Sequence, residues 1–158
     1  ENLFYAVIES VLVAPEFSAV SSAVRVSLVN LVKDYSLLNH EETAYARNPL
    51  THVDFLLFRK MDKSPLLAIE VDGTAFHAAG SIQAVRDEEK NHILSQYGIP
   101  LLRLRTDGSD EKKRIEQALR TALQKFIRGE LYYGKIRCQQ YCGQFSAFQH
   151  QRREYRNP

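Results

Sequence analysis

Residues 67–77 read LAIEVDGTAFH. The first three are apolar, as in a buried strand, but Glu70 and Asp72 follow where more Val or Ile is expected, and Gly73 and His77 come soon after. Side chains alternate faces along a strand, so Glu70 and Asp72 point the same way, roughly 6.6 Å apart at about 3.3 Å per residue. Ile69 and Val71 point to the opposite, core-facing side. Unpaired buried charges cost several kcal/mol, so two carboxylates on one face of such a strand need compensation.

The segments on either side define the fold class. SIQAVRDEEKNHILSQYG (81–98) reads as a helix with Ile82, Val85, Ile93 and Leu94 as its apolar stripe, Ser81 as N-cap and Gly98 as C-cap. IPLLRLRT (99–106) is the next strand. Strand, helix and strand make a βαβ crossover, so strands 65–73 and 100–106 are expected to be parallel and buried. Upstream, THVDFLLF (51–58) reads as a strand and KMDKSP (60–65) as the turn after it. ENLFYAVIESVL (1–12) spaces Leu3, Val7, Ile8, Val11 and Leu12 at helical intervals. In AVRVSLVNLVKDY (23–35), Val24, Val26 and Leu28 alternate as in a strand, whereas Leu28, Leu31 and Val32 suit a short helix. Residues 34–50 are polar, end at Asn48-Pro49 and are expected to form a loop. SDEKKRIEQALRTALQKFI (109–127) is a final helix, with Ser109 as its cap and two acids in its first turn. The expectation is an α/β (α+β) fold with a mixed central sheet flanked by helices.

The bulk properties fit that reading. A chain of 158 residues suits one domain, and 44% apolar with 25% charged residues is an ordinary globular balance. The net charge of +2 is too small to argue for nucleic-acid binding, so any electrostatic case must be local. No stretch approaches the roughly 20 apolar residues of a membrane span. FYAVIESVLVA, near the start, is interrupted by Glu9 and lacks a basic leader. No membrane association is expected, and a cytoplasmic setting is. The chain opens without Met, which suggests a piece excised from something longer. Cys138 and Cys142 lie in CQQYC with no second pair, so they read as free thiols, even with His150 as an available third ligand. Sparse cysteine also favours a reducing compartment. The expected organisation is a domain over 1–129 and a basic, aromatic tail over 130–158. Such a tail suits single-stranded nucleic acid, or packs back on the domain or on a neighbour.

Asp54 interrupts its strand as Glu70 and Asp72 interrupt theirs. If the strands are adjacent, three carboxylates gather near one end of the sheet, and a hard divalent cation, Mg²⁺ or Mn²⁺, would compensate them. The competing compensation is pairing with Arg103, Arg105 or Lys60. Gly73 allows a sharp turn, after which His77 can return as a proton donor or acceptor. On the helix, Gln83, Arg86, Asp87, Lys90 and Asn91 share a polar face at spacings of three, four and seven.

Asp54, then fifteen residues, then Glu70-Val71-Asp72-Gly73, His77 and QAVRDEEKNHILSQYGIPLLRLRT (83–106) form a pattern with a known counterpart. It resembles the PD-(D/E)XK, or restriction-endonuclease-like, nucleases. The branch it most resembles is that of very-short-patch-repair-endonuclease-like domains, often fused to helicases. The likeness covers residues 52–106 closely and the opening helix loosely. It implies a restriction-endonuclease-like core that hydrolyses phosphodiester bonds in DNA with Mg²⁺ or Mn²⁺. By position, Asp54 and Glu70 resemble the metal-binding acids, and Asp72 stands where the usual catalytic lysine would be. His77 aligns with the branch's histidine, and Lys90 is a candidate replacement amine. Glu1, with Glu9 as rival, resembles the opening-helix glutamate that approaches the metal. The implied metal ligands are therefore Asp54, Glu70, Asp72 and Glu1. The implied catalytic set is Asp54, Glu70, Asp72, His77 and Lys90, with Gln83, Arg86, Arg103 and Arg105 contacting nucleic acid. DNA is the implied partner, with a helicase or other domain of the same parent protein. The alternative is a catalytically inactive nuclease-fold module that binds nucleic acid or a partner protein, and a third reading is a docking domain whose acids are all salt-bridged.

Overall fold

A computed structural model describes residues 2–32, 34–73, 82–106 and 108–128. Its elements are α1 (Asn2–Leu12), a 3₁₀ turn (Pro15–Phe17), β1 (Val20–Ser27), α2 (Leu28–Leu31), α3 (His40–Arg47), β2 (His52–Arg59), β3 (Pro65–Asp72), α4 (Ile82–Gln96), β4 (Leu101–Arg105) and α5 (Glu111–Ile127). The strands form one sheet in the order β1-β2-β3-β4. β1 with β2 and β2 with β3 pair antiparallel, while β3 and β4 pair parallel across the α4 crossover. The mixed sheet expected from the sequence is therefore present.

β3 is an interior strand, and its alternation assigns the two layers. Leu67 and Ile69 pack with Phe4, Ile8 and Val11 of α1 and Ile115 and Leu119 of α5, with Val71 partly buried beside them. Ala68, on the opposite face, packs with Leu28, Ala46, Ile93 and Leu94 of the α2–α4 layer. Leu67, Ile69 and Val71 thus fill the α1/α5 side, leaving Glu70 and Asp72 on the face of Ala68, toward α4. The stretch 23–35 resolves into both of its readings, a strand followed by one helical turn, because Ser27 is extended and Leu28 begins the turn.

The C-terminus of α4 is closed as Gly98 predicts. Gly98 has φ 65°, and its N–H bonds to the Ser95 carbonyl at 3.0 Å while the Ile99 N–H bonds to the Leu94 carbonyl at 2.9 Å. This paired Schellman arrangement needs a left-handed residue, and buried Leu94 and Ile99 share a core cluster beneath it. The stop delivers the chain straight into β4.

Four local expectations are corrected. Residues 40–47 are helical, not loop: the Asn39 side chain accepts the Glu42 N–H at 2.9 Å and the Glu42 carboxylate accepts the Asn39 N–H at 2.9 Å. This capping box stabilises a helix that buries little besides Ala46 and Glu42, so its apolar periodicity is faint. The N-cap of α5 is Asp110 at φ 62°, with no side-chain cap bond, and not Ser109. Leu3 is 74% exposed, because Phe4, Ile8 and Val11 form the inward face of α1. Val85 is likewise 52% exposed, so the inward stripe of α4 among the described side chains is Ile93 and Leu94, with Tyr97 just past its end.

Replacing Asn39 with Ala should cost about 0.5–2 kcal/mol of stability, read as a lower urea midpoint with unchanged slope. Glu42 also carries an acid signature. The Asn39 N–H, then the His92 ring, hold its carboxyl below the ordinary value of 4.5. Its stabilisation is therefore complete above that value and lost as pH falls through the lowered native one. Unfolding free energy followed into acid should fall less steeply in Glu42→Gln than in the native chain.

Candidate active site

Glu70 sits in the middle of the sheet with 8% of its surface exposed. What meets it is Lys90, whose Nζ lies 2.9 Å from Glu70 Oε1 and also donates to the His52 backbone carbonyl at 2.9 Å. One ammonium of α4 therefore ties β2 and β3 together. Burial pushes the Glu70 carboxyl above the usual carboxylate range, Lys90 pulls it back, and the negative charge of Asp54 pushes it up further. The balance remains upward. Burial is the largest cause, and Arg103 adds a smaller downward pull to that of Lys90.

Asp54 lies one residue beyond the Phe55–Ile69 pair that ends the β2–β3 register. Its Oδ2 accepts the Val71 N–H at 2.8 Å, so a side chain takes over where the ladder stops. The other neighbour of Asp54 is irregular too. Val24 pairs with Phe55 and Val26 with Val53, but Arg25, opposite Asp54, has φ 51° and drops out of the register. Phe55, with Val24 partly buried, packs with the α1/α5 layer, whereas Val53 and Val26 pack with the α2–α4 layer. Residues two apart on a regular strand share a face, so alternation breaks at Arg25 and Asp54. A non-glycine residue at positive φ is uncommon, and such conformations gather at functional sites.

The outer acid is held differently. The register places Glu70 beside Arg103 and Asp72 beside Arg105. Arg103 nevertheless reaches Asp72, with Nη1 to Oδ1 at 2.8 Å, and Asp87 and Asn91 of α4, with Nη2 at 3.3 and 3.2 Å. The rival compensation weighed above is thus realised for Asp72 by Arg103, and for Glu70 by a lysine. Lys60 takes no part, since its Nζ donates to the Ser18 carbonyl. Lys90 meets Glu70 and both Asp87 and Asn91 meet Arg103, so these three share a side of α4 as their spacing predicts; Arg86 and Arg105 are exposed. Glu1 and His77 lie outside the described residues, as do the side chain of Gln83, the tail from 130 and both cysteines.

Two contributors went unread in the sequence because both belong to α3. The Tyr45 hydroxyl donates to the Arg86 carbonyl at 3.1 Å, and Glu42 Oε1 meets His92 Nδ1. In an α-helix the Arg86 carbonyl is also the acceptor for the Lys90 N–H. α3 therefore grips the turns of α4 on either side of Lys90, and Arg103 grips the same stretch through Asp87 and Asn91. Burial, followed by the charges of Glu89, Asp87 and Glu70, raises the Tyr45 phenol to about 12, so it remains a donor at neutral pH. The signal available in the sequence was the Asn39-x-x-Glu42 capping pattern.

Asp54 and Glu70 are the described residues that could hold a hard divalent cation. Among the described residues no group of three or more His, Cys, Asp and Glu side chains is arranged to hold a metal. Mg²⁺, however, is commonly held by one or two carboxylates with water completing its shell. Asp54 and Glu70, on neighbouring strands, are such a pair.

Replacing Lys90 with Met leaves Glu70 buried without its partner and should cost about 3–5 kcal/mol. Adding Glu70→Gln in the same chain should restore most of that loss in urea unfolding. Tyr45→Phe should accelerate hydrogen exchange at the Lys90 amide, with protection across β2 and β3 unchanged.

No helix among the described residues is long and apolar enough to cross a membrane. Comparisons with curated proteins and with solved structures gave no match. Residues 1–123 match the family model described as "Protein of unknown function (DUF2726)", and the chain belongs to that family.

Proposed function

We propose that this domain is a divalent-metal-dependent nuclease that hydrolyses phosphodiester bonds in DNA. The observation that carries this reading is the position of Lys90. The strand offers Asp72 where the resembling nucleases have a lysine, and an amine arrives instead from α4, 2.9 Å from Glu70. Asp54 and Glu70 would hold Mg²⁺ or Mn²⁺, which when bound polarises the scissile phosphate and lowers the pKa of a coordinated water. Lys90 keeps an ammonium at the Glu70 carboxylate, placed to donate to the attacking water and to stabilise charge developing on the phosphate oxygens. Asp72 acts through Arg103, holding it against Asp87 and Asn91 and so keeping α4 on the sheet. His77 is proposed to assist proton transfer, Glu1 to approach the metal, and Gln83, Arg86 and Arg105 to meet the nucleic acid. The cytoplasm, beside a helicase or other domain of a longer parent protein, is the proposed setting.

A second reading is an inactive nuclease-fold module that binds nucleic acid or a protein. It is favoured by one observation: both acids of β3 already have cationic partners. Calorimetric titration with Mg²⁺ and Mn²⁺ in the presence of DNA separates the two, since the inactive module takes up no metal.

Asp54→Asn and Glu70→Gln should each abolish Mg²⁺-dependent cleavage of DNA while retaining the native circular dichroism. Lys90→Ala, assayed where it is folded, should lower kcat by about 10²–10⁴-fold, with Lys90→Arg recovering part of it. Unimpaired cutting by Asp54→Asn would remove the basis of the nuclease reading.

A further inference from the structure

β4 is an edge strand, and its outer side is not bare. Ala68 N–H bonds to the Pro100 carbonyl and Thr106 N–H to the Asp72 carbonyl, so the even-numbered positions of this stretch pair with β3. The backbone groups of Leu101, Arg103 and Arg105 therefore point outward. Beside them lies a hollow of about 720 Å³, lined by Asn91, Ser95, Leu101, Arg103 and Lys125, among others. Among the described residues its lining holds two neutral hydrogen-bonding side chains and two cations, of which Arg103 is already paired with Asp72 and Asp87 and Lys125 is not.

α5 adds to this edge. Arg114, Ala118, Thr121 and Lys125 fall at helical spacings of four, three and four, and so share a face. Arg114 Nη2 donates to the Arg103 carbonyl at 2.9 Å, which fixes that face against β4. Lys125 is exposed and has no ion-pair partner among the described residues. Arg114 and Lys125 are eleven residues apart, about 16 Å along the helix at 1.5 Å per residue. That length spans several phosphates at 3.4 Å of rise per nucleotide.

We infer that the β4 edge is a track for a nucleic-acid backbone, running along α5 from Arg114, which is bonded to the Arg103 carbonyl, to Lys125 and taking phosphates on Arg114 and Lys125. The inference rests on the nuclease reading for the kind of ligand, but not for the surface that binds it. A peptide adding a strand to β4 is disfavoured, because the outward Arg103 carbonyl is already taken by Arg114. A polyanion needs no such carbonyl, only the cations and the amide and hydroxyl beside them.

The test measures binding of the full chain to single-stranded oligothymidylate and to a hairpin duplex in EDTA, across a salt series, so that cleavage plays no part. Each phosphate contact removed lowers the slope of log K against log salt by about 0.7 for a single strand or about 0.9 for a duplex. Lys125→Gln should lower it by one such step, and Lys125→Arg should restore it. Lys112→Gln, an exposed lysine of α5 outside the hollow, should leave it unchanged. Arg114→Gln should lower it by a further step, with Lys125→Gln as the variant that leaves the β4 contacts intact. An unchanged slope in Lys125→Gln, or an equal loss in Lys112→Gln, overturns the track. Absence of Mg²⁺-dependent cleavage by the native chain overturns the nuclease reading and leaves the slopes to decide the track.

Discussion

A carboxylate carried into the interior of a sheet must be met by positive charge, and around Glu70 the rest of the site is arranged to meet it. β3 is flanked by β2 and β4, so Glu70 has no route to solvent along the sheet. α4, which lies between β3 and β4 in the chain, passes close enough to supply a cation. Lys90 does so, and it reaches the His52 carbonyl with the same ammonium. The demand then moves outward. α4 must be held at one rotation and depth for the amine to arrive, and the holding falls to Tyr45 and Glu42 on one side and Arg103 on the other. The Schellman turn at Gly98 completes the arrangement by ending α4 where β4 must begin.

The two acids of β3 consequently have different physical characters. The side chains of Lys90 and Glu70 are 12% and 11% exposed, so water screens their interaction poorly and loss of either partner is costly. Arg103 and Asp72 are 26% and 36% exposed, and an ion pair so wet contributes little by itself. Its value lies in geometry, because Arg103 joins β3, β4 and α4 through three side chains. The inner pair is a buried ion pair, and the outer one is a brace that keeps a helix in place. The positive-φ backbone of Arg25, opposite Asp54, lies on β1, with β2 between it and the strand that carries Glu70.

Much of the fold was legible in the sequence because its signals are local. Three-apolar runs and period-two alternation marked β2, β3 and β4, helical spacing marked α1, α4 and α5, and glycine at 98 marked the stop of α4. α3 was not legible, since a helix held by a capping box and burying little besides Ala46 has almost no periodic apolar signal. Of the site, Asp54, Glu70, Asp72, Asp87, Lys90 and Asn91 were all singled out from their positions in the chain. Tyr45 was missed with the helix that carries it.

Alternation along one strand determined that Glu70 and Asp72 share a face and that Leu67, Ile69 and Val71 share the other. Helical spacing determined that Asp87, Lys90 and Asn91 travel together. Which cation meets which acid was decided only by the tertiary structure. The register set Arg103 beside Glu70, yet the pairing seen is Arg103 with Asp72 and Lys90 with Glu70. That choice depends on how deep α4 lies on the sheet and how far each side chain reaches, quantities set by packing between elements distant in the chain. The break in alternation at Asp54 has the same origin, because it arises from what β1 and β3 do on either side of it.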